Sequence, residues 1–263
     1  MPKNTIRKII FLGAGNLATN LALALTAKGF EIVQVYNRGK KAGQLLAQKT
    51  GAAYISDLKK LSKQADLYIV AISDDSLERV IEQVRVGDKL IVHTSGSMNM
   101  NILKSSSENF GVFYPPQTFS KEHPVSFKGV PVCIEANSRK SEDLLRMFAL
   151  SFTRNVHLVD SDQRKMIHLA AVFANNFTNF MNAISEDLME KEGLDFGILH
   201  PIISQTAANV QYKNLFQLQT GPALREDKRV IENHLATLRK HPEYRKVYDL
   251  ITKLIIQHKK TQE

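Results

Sequence analysis

The chain has 263 residues, of which 43% are hydrophobic, with a formal net charge of +9 and a single cysteine. This length exceeds one mononucleotide-binding domain and fits two domains with real cores, while the lone Cys133 excludes an intrachain disulfide and a cysteine metal cluster, so no metal is expected. No run of about 18 apolar residues could span a bilayer, and Met1-Pro2-Lys3-Asn4 leads toward a strand without an export-signal region, so a cytoplasmic, membrane-free protein is expected.

Ile9-Ile10-Phe11-Leu12 reads as a buried strand that runs into Gly13-Ala14-Gly15-Asn16-Leu17-Ala18 and an Ala/Leu-rich helix to about Lys28. The G-x-G-x-x-A spacing suits a dinucleotide. Gly13 permits a tight turn, Gly15 lets the backbone approach a pyrophosphate, and Ala18 lets helix and strand pack closely. N–H groups at the helix start, with Asn16 and Leu17 in the turn, would hold the phosphates. A second strand, Ile32-Val33-Gln34-Val35-Tyr36, ends at Asn37-Arg38. An NAD site usually carries a carboxylate there, whereas Arg38 offers a planar fork for a 2′-phosphate, with Lys40 and Lys41 adding charge. The expected cofactor is therefore NADP.

Strands are then expected at Ala52–Ile55, Leu67–Ile72, Lys89–Thr94, Phe110–Tyr114, Val130–Ile134 and Asn155–Val159. Helices fall between them at Gly39–Thr50, Asp74–Val84 and Ser138–Ser151. Continuous apolar runs such as Leu67–Ile72 indicate parallel strands covered on both faces. The alternation defines an α/β, Rossmann-like, doubly wound and mostly parallel sheet over residues 1–158, which binds NADP. Cys133 reads as a buried strand residue.

Ligands of such sheets lie beyond the C-terminal ends of the strands. At one end, Ser73 is a candidate cofactor contact, and Asp74 or Asp75 reads as a helix N-cap. At the next, His93-Thr94-Ser95-Gly96-Ser97 forms a polar turn placed for substrate, with Ser95 and Ser97 as candidate catalytic or substrate-binding hydroxyls and Gly96 as backbone contact. From Asp160 onward the pattern is helical, giving an all-α domain over 159–263. A long helix runs from Asp160 or Ser161 to about Glu192, followed by helices at Phe196–Lys213, Ala223–Arg239 and Pro242–Lys259.

The long helix is apolar with a polar stripe. Lys165, His168, Asn175 and Asn179 follow three- and four-residue spacing, while Ile167, Ala170, Ala174, Phe177 and Met181 form another face. Polar groups on a helix expected to be buried need partners, which a wet cleft supplies. Hydride transfer to a carbonyl or imine also needs a proton donor, and His168 is the side chain most readily tuned near neutral pH. Asn175 would orient it or the substrate, with Lys165 second as donor. Arg225, in Thr220-Gly221-Pro222-Ala223-Leu224-Arg225, suits a substrate carboxylate. The basic residues are dispersed, with clusters only at Arg239-Lys240, Arg245-Lys246 and His258-Lys259-Lys260, so a nucleic-acid partner is not expected.

The glycine turn, His93–Ser97, Pro116-Gln117-Thr118-Phe119, His168-Leu169-Ala170-Ala171 with Asn175-Asn176, and Thr220-Gly221-Pro222 with Arg225 and Asp227 occur in that order. Together they resemble the bacterial NADP oxidoreductases that join a Rossmann-like domain to an all-helical C-terminal domain of unknown function. More distantly, the layout is similar to pyrroline-5-carboxylate reductase, ketopantoate reductase, deazaflavin-dependent NADP reductase and the β-hydroxyacid dehydrogenases. The resemblance implies a nicotinamide cofactor, an active site between domains, and a homodimer formed through the helical part. It also implies Gln117 as a substrate contact. In the β-hydroxyacid dehydrogenases a Ser-Gly turn binds substrate and a helix lysine serves catalysis, matching Ser95-Gly96-Ser97 and Lys165 or His168. Two departures stand out: Val172 occupies the place of the acid found in 6-phosphogluconate dehydrogenase, and Tyr114 stands where nearer relatives often carry His. Two readings follow: a reductase of a small carbonyl or imine, expected to be an anionic acid, or a non-catalytic NADP-binding sensor or scaffold.

Overall fold

The computed structural model describes residues 6–212 and 214–261. Met1-Pro2-Lys3-Asn4 and Lys213, the expected end of a helix, lie outside the described residues. The chain divides into two compact units, residues 1–174 and 175–263.

The first unit carries an eight-stranded sheet in the order β3-β2-β1-β4-β5-β6-β7-β8. The strands are β1 (Lys8–Leu12), β2 (Glu31–Tyr36), β3 (Ala53–Ile55), β4 (Leu67–Val70), β5 (Gly87–His93), β6 (Ser107–Tyr114), β7 (Val132–Ala136) and β8 (Val156–Leu158). Helices α1 (Asn16–Ala27), α2 (Lys40–Thr50), α3 (Asp74–Ile81) and α4 (Arg139–Leu150) connect them. All pairings are parallel except β6 with β7, which turns the sheet's far edge antiparallel. Two apolar clusters form on it. Ile9, Phe11, Leu67, Ile69 and Val92 belong to one, and Ile10, Leu12, Tyr68, Val70 and Ile91 to the other, so alternate residues of one strand serve both faces. The strand order reverses direction between β1 and β4, and the crevice there is where ligands of open α/β sheets bind.

After β8 the chain is helical: α5 (Ser161–Ala171), a π-helical turn (Val172–Phe177), α6 (Thr178–Lys191), α7 (His200–Ala208), α8 (Lys228–Thr237) and α9 (Pro242–Lys260). Asp160 caps α5 in a reciprocal box with Gln163, and the left-handed Gly193 (φ +67°) follows the end of α6. The π turn was not foreseen, and its wider i→i+5 spacing breaks the three- and four-residue periodicity that put Asn175 and Asn179 in line with His168. The third of the C-terminal helices starts later than expected, at Lys228. Glu226 takes a left-handed backbone (φ +53°) and Asp227 caps Val230 N, which ends the turn before it and begins α8. The residues expected to form one helix over Phe196–Lys213 form α7 flanked by short 3-10 turns.

The expectation that the long helix is buried is corrected. Arg164 is its only buried residue among those described, while Met166, Leu169, Phe173, Phe177 and Phe180 are about half exposed or more. Ile167 packs against the cluster of Val112, Tyr114 and Cys133, while the larger apolar side chains of this helix stand largely exposed. Among the described residues no helix is long and apolar enough to cross a membrane.

Candidate active site

Gly13 opens the site. Its φ of +120° is a backbone state that side-chain-bearing residues rarely adopt, and a Cβ there would lie 2.1 Å from the Ala71 carbonyl oxygen. The Gly13 N–H donates to Tyr36 O at 2.8 Å, which draws the turn toward the end of β2. Gly15 is the N-cap of α1, with no side-chain cap and no acid in the first turn, and a Cβ on it would meet nothing within 4 Å. The opening N–H groups of α1 thus face open space and are suited to an anion.

That space is a cleft of about 750 Å³ lined by Gly13–Ala18, Tyr36–Gly39, Ala71–Asp74, Thr94 and Ser95, with Arg79 from α3 and Gln83 from the turn that follows it. Arg38 and Asn37 line it, and so do Asn16, Leu17 and Ser73. Lys40 and Lys41 are not among its lining residues. Asn37 holds the end of β2 in shape, with Nδ2 donating to Gly39 O (2.7 Å) and its carbonyl accepting from Tyr54 OH (3.1 Å). Ser73, rather than Asp74 or Asp75, is the N-cap of α3. Asp74 instead accepts a hydrogen bond from Ser97 Oγ, and both aspartates sit in the first turn, where they complement the helix dipole. An open glycine turn, an uncapped helix start and Arg38 fit a phosphorylated dinucleotide.

At the other side of the cleft, Ser95 Oγ accepts from Ser97 N (3.1 Å) and Met98 N (3.0 Å), so this hydroxyl holds the turn together. Gly96 packs directly on His168, and a Cβ there would lie 2.7 Å from the imidazole Cγ. The His168 Nδ1 lies 3.1 Å from Tyr114 OH, with the rings edge to face. Burial, and then the neighbouring Cys133, push the Tyr114 phenol above its ordinary range. A turn from β5, the end of β6 and α5 therefore meet at one imidazole.

Arg164, one helical turn before His168, is fully buried. Its Nη1 pairs with Glu135 of β7, and its Nη2 donates to Met98 O and to Ser161 Oγ. It thus ties α5 to both β7 and the serine turn. His93, also buried, accepts from Ser95 N at 3.2 Å, and burial, followed by the Arg164 charge, lowers its pKa to about 4. Lys165 Nζ lies 3.3 Å from exposed Asp162. Gln117, exposed, accepts from Thr118 N through Oε1 at 2.8 Å. Arg225 and Asn175 are exposed on the second unit. Sequence reasoning gave no role to Tyr114, Arg164 or Lys121. The first had a signal, since it replaces a histidine common in the resembling family.

The cleft at the sheet's switch point is lined on one side by Thr94 and Ser95, in a polar turn whose Gly96 packs on His168, and this is the layout of a Rossmann-like dinucleotide-binding protein. Residues 8–96 match the family described as NADP oxidoreductase coenzyme F420-dependent, and residues 130–255 match a domain of unknown function. A protein from Bacteroides fragilis assigned as an NADP oxidoreductase is 43% identical, with 96% of this chain and 98% of that one covered and a TM-score of 0.90. The chain belongs to this NADP oxidoreductase family, and NADP is its cofactor.

The same fold occurs in a Thermotoga maritima protein (23% identity, 95% and 98% covered, TM-score 0.77). It occurs again in an imine reductase from Myxococcus stipitatus solved with NADP+ (17% identity, 97% and 94% covered, TM-score 0.67). Curated relatives match over shorter stretches. A shikimate dehydrogenase-like protein of Haemophilus influenzae is 38% identical over 25% of this chain, and a glycerol-3-phosphate dehydrogenase of Chlorobium limicola 24% identical over 51%. The chain spans 24% and 49% of their lengths.

Proposed function

We propose that the protein reduces a small carbonyl or imine, carried on an anionic acid, at the expense of NADPH. The observation that supports this reading most is the His168 imidazole, packed on Gly96 and tied to Tyr114, beside a turn whose Thr94 and Ser95 line the dinucleotide cleft. When bound, NADPH supplies hydride to the carbon of the C=O or C=N bond.

The chain's own residues then supply the proton. Burial keeps Tyr114 a neutral phenol, whose oxygen can accept from Nδ1–H when the His168 ring carries the proton to be transferred. The Nε2–H, on the other side of the ring, is given to the substrate oxygen or nitrogen. Loss of that proton leaves a neutral imidazole with Nδ1–H still held by Tyr114, and hydride plus proton complete a two-electron reduction. Gly96 brings the ring against the turn, while Ser95 and Ser97 shape that turn through its N–H groups and Asp74. Lys165, paired with Asp162, ranks behind His168 as donor. Gln117 offers its side-chain NH₂ to the substrate. The imine limb is supported by fold likeness to the Myxococcus imine reductase and to an Aspergillus terreus reductive aminase solved with NADPH, cyclohexanone and allyl amine (15% identity, TM-score 0.69).

For the second unit we propose self-association into a homodimer. Its apolar side chains Phe180, Ile198, Ile202, Val210 and Phe216 are 53–69% exposed, an area that water penalises and a second copy would cover. A cytoplasmic location completes the reading. The test is NADPH consumption at 340 nm against pools of keto acids and cyclic imino acids. Consumption with formation of the reduced product is expected, and the absence of reaction in every pool would overturn it.

A further inference from the structure

The loop after β6 brings a cation to the glycine turn. Tyr114-Pro115-Pro116-Gln117-Thr118-Phe119-Ser120-Lys121 leaves the C-terminal edge of the sheet and passes beside α1. Its course is fixed by buried Asn20 of α1, whose Nδ2 donates to Ser120 O (2.7 Å) and whose Oδ1 accepts from Val125 N (3.0 Å). Phe119, also buried, stacks on Phe127 with ring centroids 5.4 Å apart. Between these anchors, Lys121 Nζ donates to the carbonyl of Ala14 at 2.9 Å. Ala14 lies between the two glycines of the turn.

Several observations distinguish this ammonium from an ordinary surface lysine. Among the described residues no carboxylate lies within ion-pair distance of Nζ, and neighbouring Glu122 is engaged by Ser120 Oγ at 2.6 Å. The α1 N-terminus alongside carries no acid and no side-chain cap. A cation and the positive end of a helix dipole thus converge on one open turn, an arrangement that costs energy until an anion arrives. An ammonium has three N–H donors, of which the Ala14 carbonyl takes one.

We infer that Lys121 is a pyrophosphate ligand, reaching over the glycine turn from the β6–β7 loop and donating its remaining N–H groups to the cofactor's bridging phosphates. This rests on the NADP site described above and assigns that site a side-chain cation apart from Arg38. Because the pyrophosphate is common to NADPH and NADH, Lys121 raises affinity for both, whereas Arg38 sets the preference between them.

The experiment measures dissociation constants of NADPH, NADH and adenosine 2′-monophosphate, which carries a 2′-phosphate but no pyrophosphate, by calorimetry. It compares wild type, Lys121→Met, Lys121→Arg and Arg38→Asp, with melting temperatures as a check on folding. Lys121→Met should weaken NADPH and NADH by the same factor, about tenfold, as expected for one charge-assisted hydrogen bond. Adenosine 2′-monophosphate should bind it as it binds wild type, and Lys121→Arg should restore most of the dinucleotide affinity. Arg38→Asp should change the NADPH-to-NADH ratio instead. Unchanged NADPH affinity in Lys121→Met overturns the proposal while leaving the NADP site standing. Equal loss of adenosine 2′-monophosphate also overturns it, since the lysine would then act only by holding the loop. Failure of wild type to bind NADPH would overturn the site itself.

Discussion

The two units bury apolar surface in opposite ways. In the first, β1 and β4 are buried almost throughout, and Phe113, Phe148 and Phe152 pack ring against ring. In the second, the buried apolar side chains among the described residues are Ala223 and Leu238, while Phe180, Ile202, Val210 and Phe216 stand more than half exposed. A unit with so little interior of its own cannot offset its chain entropy through burial. The contrast teaches that the cleft belongs to a unit with its own core, whereas the helical unit leaves its larger apolar side chains exposed. A second copy is our proposed cover.

The largest expected effect follows from that difference. Wild type should sediment as a dimer at micromolar concentration, and Phe180→Asp combined with Ile202→Asp should sediment as a monomer. A wild-type monomer would break the comparison, because the second unit would then be stable despite its exposed apolar surface.

A smaller effect is expected inside the first unit. Arg164→Leu strands Glu135, itself nearly buried, without its cation, and should cost about 3–5 kcal/mol of unfolding free energy in urea titrations. Adding Glu135→Leu should recover part of it. If Arg164→Leu costs no more than a surface substitution, the guanidinium does not tie α5 to the sheet.

His93 sharpens the same point through pH. Its folded-state pKa of about 4 lies below the ordinary value of 6.5, so the unfolded chain binds the proton first as pH falls. Its effect on stability is therefore absent above about pH 6.5, grows as pH falls toward 4, and then levels at a loss of about 3 kcal/mol. Urea titrations from pH 7 to 4 on wild type and His93→Asn should differ by that slope. Parallel curves would mean that His93 is not held neutral by burial and Arg164.

Much of the first unit was legible in the sequence because its signals are local. Continuous apolar runs mark parallel strands, G-x-G-x-x-A marks a turn into a helix, and Asp160 or Ser161 marks a helix start. The missed parts of the site are contacts across long stretches of chain. Lys121 meets Ala14 at 107 residues' separation, and Arg164 meets Met98 at 66. No periodicity encodes such pairs, and a lysine two residues past a Phe looks like any solvated charge. The π turn escaped for a different reason, since Val172–Phe177 has the composition of an ordinary helix and the wider winding leaves no residue signature. The exposed face of the long helix misled the reading in turn. Apolar spacing shows that a helix face will be buried, but it is silent on whether the cover lies in the same chain.

The most direct test of the account is NADPH oxidation by wild type and His168→Ala with a substrate drawn from the keto-acid and imino-acid pools, at equal cofactor occupancy. The account predicts a loss of about a hundredfold or more in turnover with the NADPH dissociation constant unchanged, as expected when a positioned proton donor is removed. Turnover equal to wild type in His168→Ala would contradict it.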